Sequence, residues 1–421
     1  VARETCRKTV LPNHMRILTE RIGNVRSVSL GVWFLTGSRD ESSDERGISH
    51  LIEHMVFKGT KTRTARQLAV DMQTLGGNFN AYTLKELTCY SARVLDTDLD
   101  RAVHIVADML HNSTFNDADL RTEKRIIAEE IKGYLDSPDE VAFDLMAKAA
   151  LGSHPLSNSI LGTSNSLAGL GRKEIRRTLR KHYTSGRTLV AAAGGVRHDQ
   201  LVSLVKKAFD FPRSNKYLPK PALVDSSSRV RSKRKMGISQ VHLCVGCKCE
   251  PYSGSKRYVL KVFNTLFGDG MGSRLFQKLR EEMGLAYSVF TFVLPYRDVG
   301  LFGGYLAVHP KNASRAMDAF YGESEKMLKE GVTRKELENA KSESKSALVI
   351  SLENTSNRMS RLANIEIYLG RRVSVDHTLN QFDSVRESDV MEMASKLLQP
   401  SKMSLGVVGP ISRSEVKSLV R

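Results

Sequence analysis

The chain has 421 residues, more than one ordinary domain holds, and its 41% apolar and 26% charged residues exclude wholesale disorder and collagen-like structure. Lysine and arginine number 64 against 46 acidic residues, a net charge of +18. No recognition-helix or RNA-binding signature accompanies the basic runs at 172–181 and 229–235, so a solvated basic surface is expected and no nucleic-acid partner.

No apolar run reaches the roughly 18 residues a membrane span needs. Five cysteines are too few and too clustered for a disulfide framework, which points to a reducing compartment. The N-terminus, Val1-Ala-Arg-Glu-Thr5, has neither a signal-peptide core nor an initiator Met, which leaves room for a removed leader.

In chain order, 28–35 reads as a strand. The segment 47–59 (GISHLIEHMVFKG) reads as a helix with His50 and His54 at i, i+4, so both imidazoles leave one face and can share a metal. Glu53 stands beside them, close enough to hold a water next to that metal. A catalytic zinc takes three protein ligands and keeps a fourth position open. Two histidines with a nearby carboxylate base are the parts that water activation requires. About 0.02 chance matches to these three positions are expected in such a chain, so the H-x-x-E-H order is informative.

Next come a helix over 65–75, opened by a Thr64/Gln67 capping box and closed by Gly76-Gly77, and a hairpin over 79–94. A helix over 117–134 carries an inward stripe of Leu120, Glu123, Ile127, Glu130 and Tyr134, with Glu129 on its polar face. A carboxylate on a buried stripe is costly unless paired or metal-bound. Glu130 is therefore the expected third ligand, with Glu123 behind the ligands.

Prolines, serines and charges without periodicity mark a linker at 212–228. The plan then repeats about 215 residues on, by comparison of the segment pairs. Residues 189–194 (LVAAAG) match 403–409 (MSLGVVG), 101–103 match 315–317, and 116–120 (NDADL) match 333–337 (TRKEL). Residues 241–245 read as a strand and 286–308 as a hairpin. Cys244, Cys247 and Cys249 read as small packing residues rather than metal ligands. The expected architecture is α+β: two homologous α/β sandwich domains, 1–211 and 229–421, each an antiparallel-rich sheet packed with helices.

These residues resemble the pitrilysin, insulin-degrading enzyme and mitochondrial processing peptidase family of zinc endopeptidases, above all the processing peptidase β-subunit and its single-chain bacterial relatives. The resemblance rests on His50–His54, the distal Glu130, Gly76-Gly-Asn-Phe-Asn-Ala-Tyr-Thr83, Gly268-Asp-Gly-Met-Gly-Ser-Arg-Leu-Phe276 and Leu279-Arg-Glu-Glu-Met-Gly-Leu-Ala-Tyr287. It implies one zinc per chain on His50, His54 and Glu130, with Glu53 as general base. It implies an edge strand at Asn80 and Ala81 that pairs with an extended peptide substrate. Arg280 and Tyr287 would reach the reacting centre from another domain and stabilise the tetrahedral intermediate. Phe57, placed on one helix face with His50 and His54, would line the pocket just past the scissile bond. Glu140 and Asp144 would read an arginine two residues before it. The processing peptidase's noncatalytic partner has a long glycine-rich loop with no counterpart here, so presequence cleavage is not the expected native task.

One chain supplies two of the four domains that complete the family's clam-like chamber, which implies a homodimer. The expected location is a bacterial cytoplasm, with a mitochondrial matrix as the alternative. Two other readings compete with the peptidase. A noncatalytic scaffold would be marked by lost site residues, and a basic nucleic-acid binder by steeply salt-dependent binding.

Overall fold

The computed structural model describes residues 5–76, 78–215, 217 and 229–420. Its first sheet contains β1 (Thr5–Val10), β2 (Arg16–Arg21), β3 (Ser27–Phe34), β4 (Asn78–Thr83), β5 (Thr88–Leu95) and β6 (Thr188–Gly194). They lie in the order β1-β2-β6-β3-β5-β4, antiparallel throughout except for the β2–β6 pair. The second sheet contains β7 (Val230–Arg234), β8 (Val241–Cys249), β9 (Ala286–Pro295), β10 (Gly300–Val308) and β11 (Ser404–Gly409), in the order β7-β11-β8-β10-β9. Its one parallel pair is β7–β11. The last five strands of the first sheet and the five of the second thus follow one plan. The matched segments 189–194 and 403–409 lie in equivalent strands, β6 and β11.

The LVAAAG run is apolar throughout because β6 is buried on both faces. Val190 and Ala192 belong to the main core, which also takes in α1 (Ile48–Met55), α2 (Ala65–Thr74), α3 (Leu99–Asn112) and α4 (Asp117–Asp136). Leu189, Ala191 and Ala193 face the opposite way and pack with Trp33, Met359, Leu362 and Ala363. In the second sheet Val241, Leu243 and Val245 face one core. Cys244 and Val408 face the other, with Val141, Ala142 and Met146 of α5 (Pro138–Leu151). Gly406 permits that approach: a Cβ there would lie 2.2 Å from the Ala142 carbonyl oxygen.

The compact units therefore differ from the contiguous stretches 1–211 and 229–421 expected from the sequence. The described residues of Val1–Lys132, Asn158–Lys220 and Ser351–Arg372 form one unit, and those of Gly133–Ser157, Pro221–Ile350 and Val373–Arg421 the other. Each sheet has two apolar faces to cover, and in each unit one cover helix comes from the other half of the sequence: Thr355–Leu369 on the first sheet, α5 on the second. Strand repeats carry no signal for which sheet such a helix covers. Of the expected linker at 212–228, residues 216 and 218–228 lie outside the described residues, as does Gly77 of the expected helix stop. Among the described residues no helix is long and apolar enough to cross a membrane.

Met359 is 3% exposed in the cluster around Trp33, whereas Ile126 on α4 is 42% exposed. Met359→Ala should cost about 2–4 kcal/mol in denaturant unfolding, and Ile126→Ala no more than about 0.5 kcal/mol. Equal losses would contradict the docking of Thr355–Leu369 on the first sheet.

Candidate metal centre

Helix α1 forms because Ile48, Leu51, Ile52 and Met55 recur at helical spacing, and all four are buried. It starts at Gly47, whose φ of +89° and closeness to the Leu161 carbonyl oxygen leave no room for a side chain. The Glu41 carboxylate accepts the N–H groups of Gly47 and Ser49 at 2.7 and 2.9 Å, satisfying donors that a helix start leaves open. The opposite face carries His50 and His54, ring centroids 4.6 Å apart.

The helix ends at Met55, and the N–H of Phe57 reaches the His54 carbonyl in a tightened turn. Phe57 therefore lies in the turn past the helix, half-buried against the main core. The same turn brings Lys58 Nζ to 2.8 Å from Glu123 Oε1.

Helix α4 buries Leu120, Glu123, Ile127 and Ile131. At about 100° per residue, Ile131 returns close to Leu120, while Glu130 falls about 80° to one side. The sequence reading placed Glu130 within the buried stripe; its side chain is 41% exposed, at the stripe's edge. Tyr134 is half-buried, and Glu129 points to solvent, bonded to Lys132. The edge position is what lets one carboxylate oxygen meet both histidines. Oε2 of Glu130 lies 3.9 Å from His50 Nε2 and 3.7 Å from His54 Nε2. One ligand atom from each of the three residues falls within 4.8 Å of the others, the only such group of His, Cys, Asp or Glu among the described residues.

The donor set fits zinc. Ligands about 2.1 Å from a tetrahedral ion lie roughly 3.4 Å apart, within a small side-chain adjustment of these distances. His54 Nδ1 donates to Glu123 Oε2 at 3.0 Å, which fixes the tautomer and leaves the Nε2 lone pair facing Glu130. Burial, helped by the neighbouring His54, pushes His50 down to about 4, so its ring is neutral at pH 7 and able to ligate. Cys244 and Cys247 point into different cores, so the cysteine run gathers no competing site.

Glu53 is half-buried, and burial raises its carboxyl above the ordinary range, as suits a base. Its Oε2 accepts the Thr83 hydroxyl at 2.6 Å. Thr83 ends β4, which lies at the edge of its sheet and, among the described residues, pairs only with β5, through Asn80↔Ser91 and Ala81↔Tyr90.

The remaining expected residues belong to the second unit. Arg280 lies in a π-helical turn (Gln277–Glu282), a conformation frequent at functional sites. Its guanidinium stacks over Phe276 at 5.0 Å and donates to the Tyr287 carbonyl at 3.1 Å. Tyr287, on β9, is 77% exposed. Glu140 and Asp144 stand one turn apart on α5; burial and the charges of Asp139 and Asp144 raise the Glu140 carboxyl.

Sequence reasoning missed Glu41, Lys58 and Thr83. Thr83 directly follows the Asn80-Ala81-Tyr82 motif, whereas nothing in the sequence marks Glu41 or Lys58.

Removing the ligand should separate two adjacent glutamates. Glu130→Gln should strip most of the zinc, Glu129→Gln almost none, and Glu123→Gln should weaken zinc affinity about 10- to 100-fold. Equal zinc loss at Glu129 and Glu130, by elemental analysis, would contradict this ligand set.

Comparison with known proteins points to one family. A family model described as insulinase (peptidase family M16) matches residues 16–164, and one described as the peptidase M16 inactive domain matches 169–344. An uncharacterized zinc protease of Bacillus subtilis is 37% identical over 97% of this chain and 98% of its own length. One from Streptomyces coelicolor is 36% identical over 99% and 92%. The crystal structure of a peptidase M16 inactive domain from Pseudomonas fluorescens superposes with a TM-score of 0.90 at 19% identity, covering 97% of this chain and 99% of that one, a likeness of fold. With its two halves matched by these models and relatives aligned over nearly its whole length, the chain belongs to peptidase family M16.

Proposed function

We propose that this chain is a zinc endopeptidase acting on short or unfolded, basic peptides. The observation that carries the reading is the meeting of His50, His54 and Glu130 at one point, with Glu53 on the same helix. All four lie within 16–164, the stretch matched by the insulinase model, so the name of the second model does not bear on them.

Zinc bound by His50, His54 and Glu130 would supply Lewis acidity toward the peptide carbonyl. The edge strand β4, at Asn80 and Ala81, aligns an extended substrate by main-chain hydrogen bonds. Glu53 takes a proton from the water whose oxygen attacks the carbonyl carbon. As the C–N bond breaks, Glu53 returns the proton to the leaving amine. Arg280 and Tyr287 donate to the oxyanion. Cys89, Cys244, Cys247 and Cys249 carry no disulfide, which suits a bacterial cytoplasm.

Glu53→Gln should keep zinc and fold but lose peptide hydrolysis, because an amide does not accept the water proton; near-normal turnover in the zinc-loaded variant would sink the mechanism. The same variant tests assembly. We infer a homodimer in which Arg280 and Tyr287 serve the partner's zinc. Mixing Glu53→Gln with Tyr287→Phe chains gives half mixed dimers with one intact site of two, so activity should recover to about a quarter of wild type by two-fold symmetry. No recovery after verified chain exchange would reject the shared site.

Glu140 and Asp144 are proposed to favour arginine two residues before the cut, and Phe57 a large apolar residue after it. Like charges one turn apart gain from a cation between them. In a peptide library, reversing both charges should abolish the arginine preference while neutral peptides are still cut. A wild-type profile indifferent to arginine would remove this assignment and leave the zinc chemistry standing.

A further inference from the structure

We propose that Thr83 is a positioning residue for Glu53, tying the general base to the strand that receives the peptide. The inference rests on the zinc-peptidase reading and deepens it. Thr83 is 8% exposed and closes β4. Its single hydroxyl proton has two acceptors in reach: Glu53 Oε2 at 2.6 Å and the Ser49 carbonyl at 3.5 Å. The shorter bond has the length of a charge-assisted O–H···O⁻ contact, so the proton goes to the carboxylate.

The Thr83 hydroxyl commits one oxygen of Glu53 and leaves the other for water. A glutamate on a short helix otherwise samples several staggered rotamers, most of which aim away from a reacting water. The donor is itself fixed. Thr83 pairs with Thr88 on β5, and Thr88, fully buried, bonds the Thr36 carbonyl. Ala81, the expected docking residue, lies two positions earlier, about 7 Å along the same strand. An extended peptide on that edge and the base are thus held to one rigid ruler.

A threonine that merely satisfied a buried polar group would affect stability without touching turnover selectively. The test compares zinc-loaded wild type with Thr83→Val, which keeps the shape and loses the donor, and with Thr83→Ser, which keeps the donor. A fluorogenic peptide reports kcat and KM separately. For Thr83→Val, kcat should fall about 10- to 100-fold at unchanged zinc content, with KM within about twofold, as expected when a reacting group is misplaced. Thr83→Ser should recover most of kcat. On a Glu53→Gln background Thr83→Val should lower the residual rate no further, since Thr83 acts only through Glu53.

If Val disturbs the strand, Thr83→Ala replaces it in the same comparison. Wild-type kcat in the donor-less variant, serine no better than valine, or an added loss on the Glu53→Gln background would each overturn the proposal. If zinc-loaded wild type cuts no peptide, or zinc-loaded Glu53→Gln turns over at a near-normal rate, the peptidase reading fails instead. An active wild type, an inactive Glu53→Gln and a fully active Thr83→Val would remove Thr83 alone.

Discussion

The bond between His54 and Glu123 is the constraint on which the site depends. Glu123 is 2% exposed on a helix face otherwise made of Leu120, Ile127 and Ile131. A carboxylate there would cost several kcal/mol if left alone. It is held by His54 Nδ1 on one oxygen and Lys58 Nζ on the other. With its Nδ1–H donated to that carboxylate in a hydrogen bond, His54 must aim its Nε2 the opposite way, toward Glu130 and His50 Nε2. A buried charge that would otherwise destabilise the core thereby sets tautomer and aim for a ligand.

That bond joins α1 to α4, and the sheets keep the helices in place. Each sheet is covered on both faces, so α1, α3 and α4 have a rigid floor. The buried strands of the first sheet, β6 above all, have no solvent side on which to shift. The helices Thr355–Leu369 and α5 complete this cover from distant parts of the sequence. A ligand set held to a few tenths of an ångström needs such support more than it needs strong individual contacts.

Much of this was legible from the sequence, for reasons that can be named. The i, i+4 histidines, the Thr64/Gln67 capping box and both hairpins are local patterns, and all appear where expected. The sequence also paired Glu123 with Glu130, because a carboxylate in an apolar stripe stands out. It misjudged Glu130's depth because a heptad reading drifts from the true 3.6-residue turn over two turns. Phe57 lies in a turn rather than in the expected helix, because nothing in MVFKG announces that the helix stops at Met55. The exchange of cover helices was invisible because an amphipathic helix records that it has a partner, not which one. Thr83 and Glu41 escaped because their role is a hydrogen bond across 30 residues in one case and to a helix start in the other.

The pleat of β4 joins these pieces. Phe79 and Ala81 pack against the core that holds α1, whereas Tyr82 turns to the other face, where its hydroxyl accepts the Trp33 indole N–H. Thr83, two residues past Ala81, must return to the α1 side, where Glu53 waits. The register Thr83↔Thr88 fixes that parity. A slip of one residue would exchange the faces, setting the Tyr82 ring against α1 and removing the hydroxyl from the carboxylate. The buried Trp33 and Tyr82 on the far face, which resist such a slip, thus help hold the base on the near one.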